Sequence, residues 1–273
     1  MPSPRVQPIV ATLRAAGCVY AEAEAELLVA GSGSPADLAT MVGRRAAGEP
    51  LEHVLGWTDF CGVRVDVDPG VFVPRPRTEL LVREAAAVAR PGSVVVELCC
   101  GSGAVGAALI AALDRVELHA VDIDPGAVGC ARRNLDAAST RVYEGDLYEP
   151  LPSTLRGRVD LLVANAPYVP ADAVRLLPPE ARLHEPLVAL SGGQDGLDVV
   201  RRVTSEAGAW LAPGGHLLVE TSERQAPSLV EIVAGSGLAP RVARHADLGA
   251  TVVVGTTPRG YPDADSAPRG DGS

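Results

Sequence analysis

The chain opens with a helical pattern of apolar residues. Over residues 6–54 they recur every three or four positions, the spacing at which side chains share one face of a helix. The pattern is interrupted just before Pro35. Ser34 is placed there as a helix N-cap, with Pro35 in the first helical position. We therefore predict a small N-terminal helical domain, residues 1–56.

An alternating pattern follows over residues 57–73. Three valines two residues apart share one face, namely Val63, Val65 and Val67. Asp68-Pro69-Gly70 contains three turn-forming residues, so this segment predicts a β-hairpin with its turn there. We assign residues 57–76 to a hairpin linker.

Short apolar runs then alternate with helical segments. The predicted strands are Val94 to Leu98, Leu118 to Ile123, Val142 to Tyr143, Leu161 to Ala164, His216 to Glu220, Arg241 to Arg244 and Thr251 to Val254. The predicted helices are Val105 to Leu113, Pro125 to Ala137, Leu197 to Leu211 and Ala226 to Ala234. This alternation predicts an α/β domain, residues 77–257, with a mostly parallel, doubly wound sheet of seven strands. The last two strands lack room for a crossover helix, so we expect them to pair antiparallel around residues 247–249. We expect the tail, residues 258–273, to be disordered.

Composition narrows the range of functions. The chain has 273 residues, 47% of them hydrophobic, and a formal net charge of -10, which disfavours a nucleic-acid partner. All 24 cationic residues are arginine. The longest uncharged run, Leu98 to Leu113, has 16 residues, too few to span a membrane. Five scattered cysteines fit neither a disulfide framework nor a metal site. We expect a cytoplasmic protein without a secretory signal or a metal.

A glycine-rich segment, Glu97-Leu-Cys-Cys-Gly-Ser-Gly103, follows the first strand of the predicted sheet. Doubly wound sheets bind ligands at the carboxyl ends of their strands, where glycine lets the backbone approach a ligand closely. The spacing Gly101-x-Gly103-x-x-Gly106 also fits the dinucleotide fingerprint, so a dinucleotide-dependent oxidoreductase remains an alternative.

Three acids at successive strand ends favour a different cofactor. Glu97 would repel a pyrophosphate, but it could bind the ammonium group of S-adenosylmethionine. Asp122 could accept two hydrogen bonds from ribose hydroxyls, and Asp146 is placed for the adenine amine. Each acid alone fits a strand-end cap equally well. Cys99 and Cys100 are interpreted as small residues that fill a tight loop.

A second motif, Asn165-Ala-Pro-Tyr168, follows the fourth strand of the sheet. The Asn165 side-chain oxygen and the Ala166 carbonyl can accept the two N–H bonds of a planar amide or aromatic amine. Tyr168 can pack against the flat face of that group, while Pro167 fixes the turn. These four residues are predicted to be catalytic, and no general base is needed because a methylated planar nitrogen is strongly acidic. Taken alone, the motif equally fits an ordinary strand-end turn.

At this point the sequence resembles the protein-(glutamine-N5) methyltransferases that modify the Gly-Gly-Gln loop of peptide-chain release factors. The resemblance rests on Gly48 to Gly56, Pro74 to Glu79, Gly101 to Gly103, Val121-Asp122, Gly145 to Leu147, Asn165 to Tyr168, Glu185 to Leu187 and Gly192 to Leu197. It implies a Rossmann-like class I methyltransferase sheet and an N-terminal domain that helps dock a release factor.

The resemblance also assigns site residues. It implies that Cys99, Cys100, Gly101, Ser102, Gly103, Asp122, Leu147 and Asn165 bind adenosylmethionine, and that residues 165–168 bind the substrate glutamine. Three departures from the family pattern stand out: Ala166 replaces a proline, Cys99-Cys100 replaces Gly-Thr, and Arg77 replaces an acid. They leave open whether the acceptor is a release factor or another glutamine-bearing protein.

Two further alternatives remain. An adenine-N6 methyltransferase of DNA or RNA uses a similar motif, although the acidity of this chain disfavours it. A cofactor-binding protein that has lost turnover is also possible. We expect a monomer that methylates a protein glutamine.

Overall fold

The computed structural model describes residues 6–258, and its N-terminal region is helical, as predicted. The helices there are α1 (Gln7–Ala15), α2 (Ala21–Gly31), α3 (Pro35–Ala46) and α4 (Leu51–Leu55). The hydroxyl of Ser34 accepts a hydrogen bond from the Asp37 amide at 3.1 Å, so Ser34 caps α3 as expected. The apolar faces of α1 to α4 enclose a small separate core around Leu13 and Leu28.

The hairpin is present, but its turn is not where the sequence analysis places it. Strands β1 (Trp57–Phe60) and β2 (Val63–Asp66) pair antiparallel, with Phe60 opposite Val63. The turn is therefore Cys61-Gly62, with φ of 50° and 76°. A hairpin turn with positive φ at both central residues usually carries Asn, Asp or Gly at the first of them, so a cysteine at position 61 gives no sequence signal for this turn. The predicted turn at residues 68–70 was wrong; these residues form a separate turn after β2.

A seven-stranded sheet forms the main domain and confirms the predicted fold. Its strands are β3 (Val94–Leu98), β4 (Glu117–Asp122), β5 (Thr140–Glu144), β6 (Val159–Ala164), β7 (Leu211–Thr221), β8 (Ala239–His245) and β9 (Ala250–Thr256). They lie in the order β5-β4-β3-β6-β7-β9-β8. Only β9 runs against its neighbours in this sheet, so the last two strands pair antiparallel, as predicted.

Helices cover both faces of this sheet. They are α5 (Glu79–Val88), α6 (Ala104–Ala112), α7 (Pro125–Asn134), α8 (Pro179–His184), α9 (Leu187–Leu190), α10 (Asp198–Trp210) and α11 (Ala226–Gly235). Alternate residues of β3 point to opposite faces: Val95 packs in the core with α5 and α6, whereas Val96 packs in the core with α10 and α11. The sequence analysis missed α5, α8 and α9, the last two because they are too short for a periodic pattern.

The loops that follow β3, β4, β5 and β6 all lie at the carboxyl edge of the sheet. From β3 the chain moves outward through β4 and β5, then crosses back to β6 on the other side of β3. The point where the winding direction changes is where doubly wound sheets bind ligands. Both predicted motifs lie there. No helix within residues 6–258 is long and apolar enough to cross a membrane. The prediction for the tail concerns residues beyond Pro258, outside the described part of the chain.

Candidate functional site

Two cavities meet at the carboxyl edge of the sheet. The loop cavity, about 160 Å³, lies beside the glycine-rich loop 99–103, and the turn cavity, about 300 Å³, lies beside the turn 165–168. The residues that line both cavities are Phe72, Asn165, Pro167 and Ala189. Of the predicted site residues, only Gly103 lines neither cavity. The two motifs are therefore parts of one site.

The glycine-rich loop has an unusual backbone. Cys99 has φ of 56°, Gly101 of 54° and Gly103 of 77°, all in the left-handed region. Leu147, at the end of the β5 loop, has φ of 49°. Non-glycine residues rarely adopt this conformation, which costs energy and is concentrated at functional sites. Both Cys99 and Leu147 line the loop cavity.

Asp122 ties the glycine-rich loop to the end of β4. Its Oδ2 accepts a hydrogen bond from the Gly101 amide at 2.8 Å, and its Oδ1 accepts one from the Asp124 amide at 2.9 Å. Burial raises the pKa of this carboxyl, and the two backbone donors oppose that rise. Each carboxylate oxygen can accept a second hydrogen bond. Asp122 can thus still bind two hydroxyl groups in the loop cavity.

Glu97 is almost completely buried at the floor of the loop cavity. It is 3% exposed, and its Oε2 has no hydrogen-bond partner within residues 6–258. Burial raises the pKa of Glu97 to about 8. An unpaired buried carboxyl oxygen is costly unless a ligand satisfies it, so Glu97 is suited to a cationic group.

Gly106 lies outside the predicted site but shapes it. A Cβ at Gly106 would lie 2.6 Å from Glu97 Oε2 and 2.7 Å from Leu118 Cδ2. No larger side chain fits there without displacing Glu97. The third glycine of the fingerprint spacing is the sequence signal for this close contact between helix and strand.

The neighbouring cysteines show no sign of activation. Burial raises the pKa of the Cys99 and Cys100 thiols, so both stay protonated near neutral pH. Across residues 6–258, His, Cys, Asp and Glu form no cluster of three that could hold a metal ion. The protonated thiols agree with the interpretation that Cys99 and Cys100 fill space in the loop.

Asp146 lines the loop cavity but already has a protein partner. Its Oδ2 accepts a hydrogen bond from Arg202 Nη2 at 2.7 Å. Arg202 also lines the loop cavity, from α10, and the sequence analysis missed it. The hydrogen bond joins residues 56 positions apart, a separation at which no local pattern signals contact. The other oxygen of Asp146, Oδ1, accepts no hydrogen bond from residues 6–258 and can therefore bind a ligand in the loop cavity.

The turn after β6 presents two free acceptors to the turn cavity. The side-chain amide of Asn165 donates from Nδ2 to the hydroxyl of Thr78 at 3.4 Å. The other atom of that amide, Asn165 Oδ1, accepts no hydrogen bond from the described residues, and Asn165 lines both cavities. The carbonyl of Ala166 likewise receives no hydrogen bond there. Ala166 is 1% exposed, so this free carbonyl belongs to a buried residue that lines the turn cavity.

A second glycine loop supports that turn from behind. A Cβ at Gly192 would lie 2.5 Å from the Pro167 carbonyl oxygen, and one at Gly196 would lie 2.3 Å from that of Tyr168. Gln225 Nε2 donates to the same Tyr168 carbonyl at 3.0 Å. The loop 192–196 and Gln225 therefore fix the backbone of residues 167–168. The sequence analysis did not identify Gln225.

Tyr168 is held by a buried acid. Its hydroxyl donates to Glu220 Oε1 at 3.2 Å, and Arg77 Nε donates to the same oxygen at 3.2 Å. The Arg77 guanidinium lies 5.6 Å from the centre of the Tyr168 ring. Burial raises the pKa of Tyr168, so its hydroxyl remains a donor. Glu220 is the penultimate residue of β7 and the last residue of the strand predicted from sequence, so the strand-end rule that identified Asp122 would also have identified it.

Arg75 adds a second guanidinium to the turn cavity. It pairs with the buried carboxylate of Glu185. Arg75 and Arg77 thus both line the turn cavity, each attached to a buried acid.

Comparisons with known proteins place the chain among methyltransferases. Residues 62–177 match the model of the "Methyltransferase small domain" family. The chain is 39% identical over 209 residues to the release factor glutamine methyltransferase of Geobacter sulfurreducens, covering 75% of this chain and 72% of that protein. It is 35% identical over 232 residues to the 4-amino-L-phenylalanine/4-methylamino-L-phenylalanine methyltransferase of Streptomyces pristinaespiralis, covering 82% and 78%. Among solved structures, a methyltransferase from Pyrococcus furiosus shares the fold, with a TM-score of 0.54 and 17% identity over 72% of this chain and 90% of that one.

Proposed function

The chain belongs to the release factor glutamine methyltransferase family, and from that premise we propose that it methylates the side-chain amide nitrogen of a protein glutamine with S-adenosylmethionine. The acceptor we propose is the glutamine of the Gly-Gly-Gln loop of a peptide-chain release factor. The observation that carries the proposal is the pair of unpaired acceptors in the turn cavity, Asn165 Oδ1 and the Ala166 carbonyl, of which Asn165 also lines the loop cavity.

The loop cavity fits the cofactor on three observations. The unpaired Glu97 Oε2 suits the ammonium group, and the second lone pairs of Asp122 suit the ribose hydroxyls. The left-handed backbone at Gly101 lets the loop approach a ligand closely. Leu147 and Asp146 are the residues we propose beside the adenine. When bound, S-adenosylmethionine supplies an electrophilic methyl group on a sulfonium.

The turn supplies binding and orientation. A primary amide has two N–H donors and a nitrogen lone pair delocalised into the carbonyl, so it is a weak nucleophile. Asn165 Oδ1 and the Ala166 carbonyl each accept one N–H, which fixes the nitrogen toward the loop cavity. Tyr168 packs its ring against the flat amide. We attribute the rate acceleration to alignment of the amide nitrogen with the methyl group, because both acceptors are fixed before the substrate binds.

No side chain has to act as a base. The nitrogen becomes strongly acidic as it gains the methyl group, and a backbone carbonyl or water can take the proton. Tyr168 stays protonated since burial raises its pKa, so we give its hydroxyl no part in proton removal.

One observation favours a second candidate, N-methylation of a free 4-aminophenyl amino acid. An aromatic amine is also planar and carries two N–H bonds, so the same two acceptors suit it. The two guanidiniums of the turn cavity, Arg75 and Arg77, could bind an α-carboxylate. The Streptomyces pristinaespiralis relative is named for such a substrate.

The test is direct. The purified protein is incubated with methyl-labelled S-adenosylmethionine and either a release factor or 4-amino-L-phenylalanine, and the products are mapped by mass spectrometry. We expect a single methyl group on one release-factor glutamine. Label in the amino acid and none in the release factor would establish the second candidate instead. No label in either would refute both.

A further inference from the structure

A buried acid, Glu220, contacts the turn at residues 165–168 through Tyr168. It is 1% exposed, and it lines neither the loop cavity nor the turn cavity. A carboxylate buried in this way costs free energy unless other groups compensate its charge. Because Glu220 does not reach a substrate in either cavity, any effect that it has on the reaction must pass through its partners.

Both partners of Glu220 line the turn cavity. Its Oε1 accepts one hydrogen bond from the Tyr168 hydroxyl and one from Arg77 Nε, each at 3.2 Å. The second oxygen, Oε2, has no hydrogen-bond partner in the described part of the chain. A single carboxylate oxygen therefore joins two residues of the turn cavity, which lie 52 and 143 positions away along the chain.

The ion pair between Arg77 and Glu220 is asymmetric. Within residues 6–258, Arg77 is the only cation that pairs with Glu220, and their side chains are 44% and 2% exposed. If the charge of Glu220 is removed, water can solvate the guanidinium. If Arg77 is removed, the carboxylate stays buried without a compensating charge, which is the costly case.

The same pair constrains the ring of Tyr168. The Arg77 guanidinium lies 5.6 Å from the ring centre, within the range of cation–π attraction. The Tyr168 hydroxyl is held by Glu220 at the end of the ring. These two contacts together set the plane of the ring, and that plane is the surface proposed to pack against the flat acceptor group.

We propose that Glu220 is a positioning residue for the acceptor, which fixes the ring of Tyr168, and that Arg77 serves as the counterion of Glu220. In this arrangement Arg77 acts through Glu220 and not by contact with the acceptor. The inference rests on the proposed function and deepens it, because it gives the acceptor half of the site a charge pair that must be balanced for the acceptor to bind.

A double-mutant cycle tests this coupling, with methylation of an intact release factor as the measurement. Arg77→Met keeps the apolar stem but removes the counterion, so the KM of the release factor should rise about fivefold. Adding Glu220→Gln removes the buried charge, while the new amide oxygen still accepts the Tyr168 hydroxyl. The double variant should therefore return to within about twofold of the wild-type KM.

Two single variants sharpen the cycle. Arg77→Lys keeps the positive charge, so its KM should stay within about twofold of the wild-type value. Thr221→Val is the matched control, because Thr221 is the next residue of β7 and points to the opposite face of the sheet. Its buried hydroxyl has no hydrogen-bond partner within the described residues, so this variant should leave the KM unchanged. In all four variants the Kd of S-adenosylmethionine should stay constant, and melting temperatures report whether each is folded.

The outcomes separate this inference from the proposed function. A double variant whose KM stays as high as that of Arg77→Met would overturn the role of Glu220 and show that Arg77 contacts the acceptor itself, while the function would stand. A rise in Thr221→Val as large as in Arg77→Met would overturn it too. If the wild-type protein methylates only 4-amino-L-phenylalanine, the proposed acceptor falls, and the same cycle with that amino acid decides the role of Glu220. No transfer to either acceptor would overturn both.

Discussion

The two halves of the site are built differently. The loop cavity is formed largely by short sequence stretches that follow β3, β4 and β5, and Asp122 bonds a loop that begins only about twenty residues earlier. The turn at residues 165–168 depends on distant support: Thr78, Glu220 and Gln225 lie 87, 52 and 57 residues from their partners. Cofactor binding should therefore depend on few residues, whereas acceptor geometry should depend on many.

The largest effect should come from Asn165→Ala. It removes the side-chain acceptor where the cavities meet, so we expect kcat to fall at least ~100-fold, as when one preorganised transition-state contact is lost. Binding of S-adenosylmethionine should weaken only severalfold. Labelled-methyl transfer and calorimetry measure the two quantities. Thr78→Val, which removes only the hydroxyl that holds the Asn165 amide, should give an intermediate kcat. Undiminished turnover in Asn165→Ala would exclude Asn165 from the mechanism.

The next effect concerns the cofactor half alone. Asp122→Ala removes two hydrogen bonds to a charged acceptor, worth about 1.5 kcal/mol each at the low end, so the Kd of S-adenosylmethionine should rise roughly 150-fold. The kcat at saturating cofactor should change far less than in Asn165→Ala. Asp247→Ala, in the exposed loop between β8 and β9, serves as the control. An unchanged Kd by calorimetry would remove Asp122 from the cofactor site.

Glu97 should make cofactor binding depend on pH. Its pKa is raised to about 8, so the carboxyl is mostly protonated at pH 6 to 7 and becomes a carboxylate as the pH rises. Because only the carboxylate pairs well with an ammonium group, affinity should increase with pH, by about tenfold between pH 6 and pH 7. Glu97→Gln should bind more weakly and lose this dependence. A flat profile in the wild-type protein would contradict the assignment.

The smallest effect should come from Tyr168→Phe. The ring remains, but Glu220 loses a hydrogen bond worth about 1 kcal/mol, so the KM of the acceptor should rise about fivefold. The Kd of S-adenosylmethionine should stay constant, because Tyr168 lines only the turn cavity. Arg77→Ala should have a similar effect through the same Glu220 oxygen. A change in cofactor affinity as large as the change in KM would show that the two halves are not independent.

The contrast between the two halves of the site explains which of its residues could be predicted from sequence alone. Hydrophobic periodicity predicts the seven-stranded sheet, and polar residues at strand ends pick out Glu97, Asp122 and Asp146, because the end of a strand is a local feature. Thr78, Arg202 and Gln225 could not be predicted, since their roles arise only when distant segments meet. Cys61 was missed for another reason: its residue type does not reveal the positive φ of the hairpin turn.

The left-handed backbone at Cys99 and Leu147 has a consequence for evolution and engineering. Each holds a side chain in a conformation that costs roughly 1 kcal/mol or more, a penalty that glycine would avoid. Selection for heat resistance alone should therefore favour glycine at both positions. At position 147, however, glycine would remove one of the apolar side chains that line the loop cavity, so a variant more resistant to heat should turn over more slowly.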